Sequence, residues 1–325
     1  MAKVTEGLRR EAAGRVLGRA IEPFTGRAEL WARHNVRCRT LLPFDKAIEA
    51  MNRRWQLAPS EDDHRPIFVL SAGWRSGSTL VQRLLVSKAG ALIWGEPFTM
   101  ADYIGRLADS LCMFSEESPP PQFFLSFHDV ENVAAIQEKW IAHLYPEPVH
   151  LRDAHRAFFL ALLAAPAAER GFPRWGLKDC KYGIDHALYL KWLFPKARFF
   201  FVYRNPYHAW RSFRLFGGYT RWPDQPVFTA RQFGEMWASL VQGFLARHAD
   251  VDGMPIKFED LVAGKVSVEM VSTFAGVECD AGVLSQNVSG RGKRELVPLP
   301  RLEKSQLARA VEPIAGQLGY TSADA

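Results

Sequence analysis

The chain has 325 residues, 48% of them hydrophobic and 23% charged, a balance that excludes a disordered or low-complexity protein and allows a large core without disulfide staples. Its net charge of +6 and isoelectric point near 9.2 suit an anionic partner such as a nucleotide, nucleic acid, acidic glycan or membrane surface, without choosing among them. The four cysteines, Cys38, Cys112, Cys180 and Cys279, form no C-x-x-C pair, which excludes zinc-finger and thioredoxin-like patterns and fits a reducing cytoplasm.

The first nineteen residues, MAKVTEGLRREAAGRVLGR, are charged throughout and contain no apolar signal-peptide core. Residues 1–60 read as a helical extension with basic faces, including a helix around Phe44 to Trp55. Contact of these basic helices with a membrane surface stays open. The polar segment SEDDHRP at 60–66 leads into an α/β domain over residues 61–325. Ile67 to Leu70 is a short apolar run rich in strand formers, Ser71 to Gly77 is a loop, and from Ser78 the spacing of Leu80, Val81, Leu84 and Leu85 turns helical. The longest uncharged apolar stretch, Ala157 to Ala168, is too short to cross a bilayer. A second unit follows: a helix over Asp185 to Phe194, a continuous apolar strand over Arg198 to Tyr203, a turn at Arg204-Asn205-Pro206 and a helix over Tyr207 to Phe216. A third strand is expected at Pro255 to Phe258, with helices at Val266 to Ala275 and Glu303 to Leu318. Alternating strands and helices predict an α/β fold: a P-loop-like central parallel sheet with helices on both faces.

The chemistry concentrates in Gly73-Trp74-Arg75-Ser76-Gly77-Ser78-Thr79. A strand–loop–helix junction points backbone N–H groups and the positive end of the helix dipole at an anion. Gly77 lets backbone approach it, Ser78 and Thr79 offer hydroxyls, and Arg75 adds a forked cation. A Walker A loop needs Gly-Lys followed by Ser or Thr. Here Ser78 follows Gly77 directly, and the strand at 198–203 runs into Arg204 rather than a metal-binding Asp. Arg204 lies where open parallel sheets bind ligands, and Ser212 follows eight residues later. Two anion sites on neighbouring strand ends suit a nucleoside with phosphate at both ends.

These residues resemble the sulfotransferase family that uses 3′-phosphoadenosine 5′-phosphosulfate (PAPS). Its 5′-phosphosulfate loop commonly reads P-[RK]-S-G-[ST]-T, and WRSGST at 74–79 matches except that Trp74 replaces the proline. Its 3′-phosphate motif, an Arg with a Ser eight residues on, is matched by RNPYHAWRS at 204–212. Its aromatic-Glu-Asp-Leu segment is matched by Phe258-Glu259-Asp260-Leu261, and its closing pattern by Gln317-Leu318-Gly319-Tyr320. The layout is similar to the tyrosylprotein and carbohydrate branches, which carry a Glu after the second strand, here Glu96, and a Lys before the 3′-phosphate strand, here Lys178. Phe258 stands where tyrosine is frequent, which removes a hydroxyl contact.

The resemblance implies roles. Glu96 takes the proton of the acceptor hydroxyl, and Lys178 stabilises charge on the transferring group. Arg75, Ser76, Gly77, Ser78 and Thr79 hold the 5′-phosphosulfate; Arg204 and Ser212 hold the 3′-phosphate. Arg291 and Lys293 in Ser289-Gly290-Arg291-Gly292-Lys293 echo a further nucleotide-contacting loop. The implied co-substrate is PAPS, without a metal, and the implied acceptor is a hydroxyl on a carbohydrate or glycoconjugate, with peptidyl tyrosine or a small natural product behind it. No nucleic-acid partner is expected. The rival readings are a P-loop-type nucleotide kinase and a non-catalytic nucleotide-binding protein on the same fold.

Overall fold

The computed structural model describes residues 42–58, 60–98, 101–128, 133–138, 142–214, 220–221, 226–286 and 298–324. The expected contacts of Arg291 and Lys293 fall outside these residues.

Five strands, β1 (Ile67–Ser71), β2 (Leu92–Gly95), β3 (Trp175–Asp179), β4 (Arg198–Tyr203) and β5 (Gly253–Lys257), form one sheet in the order β2-β3-β1-β4-β5. All neighbours are parallel: Ile67 pairs with Gly176 on one side and Arg198 on the other, Leu92 with Trp175, and Phe199 with Gly253. The fold is therefore α/β with a central parallel sheet, as the alternation of apolar runs and helical patterns predicts.

Why the central strands read as unbroken apolar runs is visible in the core. Side chains alternate across a strand, and here both faces are covered. Phe68, Leu70, Leu177, Phe199 and Phe201 enter one cluster; Ile67, Val69, Ile93, Phe200, Val202 and Ile256 enter another. The second face is covered by α2 (Ser78–Val86), through Val81, Leu84 and Leu85, and by α9 (Val268–Ala275), through Val271 and Ala275. The first and larger face takes α1 (Phe44–Trp55), α3 (Tyr103–Leu111), α4 (Pro148–Phe159), α5 (Ile184–Leu193), α6 (Pro206–Arg214), α7 (Ala230–Arg247) and α10 (Arg301–Val311). Phe199 and Phe201 are stacked on this face, and Phe201 stacks in turn on Phe244 of α7. Each such ring contributes about 1.5–3 kcal/mol by leaving water.

Two expectations shift at their edges. The last strand ends at Lys257, and Phe258 opens a short helix, α8 (Phe258–Val262). The helix expected over 303–318 is broken after Val311, because Pro313 has no N–H to continue it; a short turn of helix, Ile314–Gln317, follows. Strands β2 and β3 complete the sheet on the side away from β4. No helix of the described residues is long and apolar enough to cross a membrane.

Candidate active site

The chain runs from β1 to the β2–β3 side of the sheet and returns to β4 on the other side. That reversal opens a crevice at the carboxyl ends of β1 and β4, where such sheets bind ligands. The segment after β1 fills one wall. Gly77 caps α2 with φ 92°, in the left-handed region that glycine enters without steric penalty. A Cβ there would lie 2.1 Å from the Phe258 ring. Ser76 is fully buried, and its hydroxyl donates to Ala72 and Gly73 carbonyls at 2.7 and 2.9 Å. That hydroxyl braces the loop; only the Ser76 backbone N–H is left for a ligand. The Ser78 hydroxyl lies 3.6 Å from Cys180 Sγ, and Thr79 is exposed.

The other wall is cationic. Arg204 follows β4 and is largely buried. Its guanidinium sits 4.7 Å above the Phe258 ring and donates to the Arg75 carbonyl at 3.4 Å. The Arg75 Nε donates to Ser212 on α6 at 2.8 Å. Arg75 therefore faces the Arg204–Ser212 side rather than a separate pocket. Arg211, which sequence reasoning passed over, belongs to the same group. Burial foremost lowers the Arg204 pKa, Glu259 opposes, and the positive charges of Arg75 and Arg211 lower it further. The buried Nε atoms of Arg204 and Arg211 have no hydrogen-bond partner among the described residues. Three crowded guanidinium groups, those of Arg204 and Arg211 each with a buried Nε that finds no partner among the described residues, fit a multiply charged anion, since leaving such donors unmade is costly. Asn205 and Glu259 set this wall. Asn205 Oδ1 accepts from Tyr207 N at 2.9 Å and caps α6, and Glu259 accepts from Asn205 N at 3.0 Å and from the Tyr320 hydroxyl at 2.8 Å. Phe258, whose missing hydroxyl the sequence presented as a loss, packs its ring on Gly77 and under Arg204.

A carboxylate and an ammonium stand beside the loop. Glu96 follows β2, and its N–H donates to the Lys178 carbonyl at 2.7 Å, extending the β2–β3 register of Gly95 with Lys178. Glu96 Oε1 accepts from the Lys178 Nζ in an ion pair and from the Cys180 thiol at 3.3 Å; Oε2 accepts from the Trp74 indole at 3.3 Å. Burial works to lower the Lys178 pKa, but Cys180 and Glu96 overcome it and hold the ammonium above the usual lysine value. Burial pushes the Asp179 carboxyl up to about 7, against the Lys181 N–H that it accepts. Of the seven non-glycine residues with positive φ among the described residues, four are Arg75, Glu96, Phe98 and Asp102. For a residue with a Cβ this conformation costs about 1–2 kcal/mol, so backbone strain concentrates around this carboxylate. Beyond Pro97, Phe98 is 59% exposed, meets the Tyr103 ring at 5.6–5.7 Å spacing in a series that continues to Phe158, and leads away from Glu96.

A model described as the sulfotransferase family matches residues 66–281. The chain belongs to the sulfotransferase family. The match spans the sheet, both walls and the Glu96–Lys178 pair. Among solved structures, this sulfotransferase is similar to the sulfotransferase domain from the Synechococcus PCC 7002 olefin synthase (19% identity, TM-score 0.39, covering 82% of this chain and 99% of that one). It is similar also to the sulfotransferase domain from the curacin biosynthetic pathway (16%, 0.42, 81% and 99%) and to sulfotransferase STF1 from Mycobacterium tuberculosis H37Rv (15%, 0.40, 82% and 82%). No curated protein matches the chain.

In this sulfotransferase the structure brings Arg75, Gly77, Ser78, Glu96, Lys178, Arg204 and Ser212 to one end of the sheet. Two tryptophans near this end of the sheet are tied down by their indole N–H groups: Trp94 donates to Leu163 O at 3.0 Å and Trp210 to Glu303 at 2.8 Å. The Ser118–Pro121 loop is held by Arg54, which donates to the Ser115 and Ser118 carbonyls. Cys180 was missed because a thiol among four scattered cysteines carries no spacing signal; Arg211 was missed because only the first and last residues of its motif were weighed. A cavity of about 420 Å³ at the opposite end of β4 is lined by Arg65, Arg174 and Arg198 among others. None of the candidate residues reaches it.

Proposed function

We propose that this enzyme moves the sulfuryl group of PAPS onto an acceptor hydroxyl, with Glu96 as general base. The observation that carries the reading is the Glu96–Lys178 pair, set on adjacent strand ends beside an anion loop. Arg204, Arg211, Ser212 and the Arg75 guanidinium take the 3′-phosphate. The backbone N–H groups around Gly77, Ser78 and Thr79, at the start of α2, take the 5′-phosphosulfate. Placing Arg75 on the 3′ side departs from the family-based expectation and follows from its bond to Ser212.

Glu96 accepts the hydroxyl proton as the acceptor oxygen forms its bond to sulfur. The bond between sulfur and the bridging phosphate oxygen breaks, and its electron pair leaves with 3′-phosphoadenosine 5′-phosphate (PAP). Lys178 keeps its bond to Glu96 and turns another of its three N–H donors to the transferring group, offsetting the charge that develops there. Like phosphoryl transfer, this chemistry depends chiefly on positioning and electrostatics. The acceptor is an alcohol; a sugar hydroxyl of a glycan or glycolipid is the first candidate, and peptidyl tyrosine or a small natural product the next. A kinase reading lacks its lysine, since Ser78 occupies the position after Gly77.

The test is thermal stabilisation by PAP against ATP and AMP, with sulfuryl transfer from PAPS measured over a panel of alcohols. Ligand at a hundred times its dissociation constant adds about 2.7 kcal/mol. PAP is expected to stabilise far more than ATP or AMP; equal stabilisation by all three, or dependence on ATP and Mg²⁺, overturns the reading.

A further inference from the structure

We propose that Trp74 is a positioning residue of this site, whose indole N–H holds Glu96 Oε2 so that the carboxylate presents one oxygen with an open lone pair to the acceptor. The inference rests on the reading of Glu96 as the base and adds a residue to it.

Trp74 occupies the position where the resembling loops carry proline, a residue with no side-chain donor. Its Nε1 lies 3.3 Å from Glu96 Oε2. The ring is fixed from behind: it lies 6.1 Å from Phe213 of α6, and Phe213 packs on Trp210 and Phe233. The other oxygen is fully engaged. Oε1 accepts from the Lys178 ammonium and from the Cys180 thiol. Burial pushes that thiol up to about 12, so it stays a donor at neutral pH. A carboxylate oxygen accepts about two hydrogen bonds. Oε1 has both, while Oε2 has the indole and one place left, and that place is where the hydroxyl proton goes. The left-handed backbone of Glu96 and its N–H bond to Lys178 O fix the stem, and the indole fixes the tip.

The groups facing this carboxylate are Lys178, Asp179 and Cys180 from β3 and its end, and Trp74 from the loop after β1. Trp74→Phe keeps an aromatic ring and removes the donor together with the five-membered ring that carries it. PAP affinity should stay at the wild-type value while kcat falls about tenfold or more, the usual worth of a hydrogen bond to a charged group. The KM for the acceptor alcohol should stay within about twofold of the parent's, so that the loss appears in kcat. Glu96→Gln is run in parallel. Turnover lost in Glu96→Gln, together with a Trp74→Phe enzyme of unchanged kcat, overturns the role of Trp74 and leaves the base in place. Near-normal turnover in Glu96→Gln removes the base and Trp74 with it. Should Trp74→Phe fail to fold, the indole ¹H–¹⁵N resonance of Trp74 decides: it should move between the unsubstituted enzyme and Glu96→Gln, and a resonance unchanged by that substitution overturns the proposal.

Discussion

Arg75 Nε donates to Ser212 Oγ at 2.8 Å, joining the loop after β1 to helix α6 across 137 positions of the chain. Arg204 reaches the same place through the Arg75 carbonyl. The two walls of the crevice thus share one cationic pocket, and the charge of either arginine is felt by whatever the other binds. Arg204→Ala should weaken PAP by about 10- to 100-fold, as expected for charge-assisted bonds of about 1.5–3 kcal/mol, and should weaken AMP far less. Titration calorimetry with both nucleotides reads the difference. Equal losses for PAP and AMP would show that Arg204 does not discriminate the 3′-phosphate. Arg211→Ala should follow Arg204→Ala in direction.

How much of this was legible in the sequence depends on the range of the interaction. The strand–loop–helix unit at 67–86 is a local pattern, and so is the run from Arg198 to Ser212; both were readable from periodicity and turn residues. That Arg75 leans toward Ser212 is not local, because it depends on β1 and β4 being neighbours in register. Strand β3 is short and holds a lysine and an aspartate, so it lacks the apolar run that marks β4; only a family pattern singled out Lys178. The clamp on Glu96 joins Trp74, Lys178 and Cys180 from three places in the chain, and no spacing rule connects them.

Gly77 tests the loop's dependence on close approach. A Cβ would meet the Phe258 ring at 2.1 Å, at a backbone φ of 92°. Gly77→Ala should lower the melting temperature, by the roughly 1–2 kcal/mol cost of left-handed backbone and a further cost for moving the ring. It should also reduce stabilisation by PAP, because Phe258 carries Arg204. A variant that melts and binds like the parent would show that the loop has room to spare.

Asp179 makes stability depend on pH in a direction opposite to most carboxylates. Its folded pKa is raised from 3.8 to about 7, chiefly by burial. Between those values the folded state holds a proton that the unfolded state has released, so stability falls as pH rises through this window; below it the group contributes nothing to the slope. The shift corresponds to about 4 kcal/mol at most. Asp179→Asn, which keeps an acceptor for the Lys181 N–H, removes this slope. Urea melts at pH 5 and pH 8 should therefore show the variant gaining stability relative to the parent as pH rises, by about 1–3 kcal/mol. A pH-independent difference between the two proteins would show that Asp179 is ionised throughout.

Phe98 offers a test of where the acceptor lies. A bulky residue in the left-handed region that leaves 59% of its surface in water gains little for the fold. It sits two residues beyond Glu96, and its ring begins the series Phe98, Tyr103, Phe158. Exposed aromatic surface beside a reacting group is suited to cover the body of an acceptor whose hydroxyl reaches the carboxylate. Phe98→Ala should change folding stability by no more than about 0.5 kcal/mol. The KM for the best alcohol of the panel should rise about five- to tenfold, in line with about 1 kcal/mol for partial burial of a phenyl ring, and PAP affinity should not move. If the KM for the acceptor holds while PAP affinity falls, the ring serves the nucleotide side, and the acceptor approaches Glu96 from elsewhere.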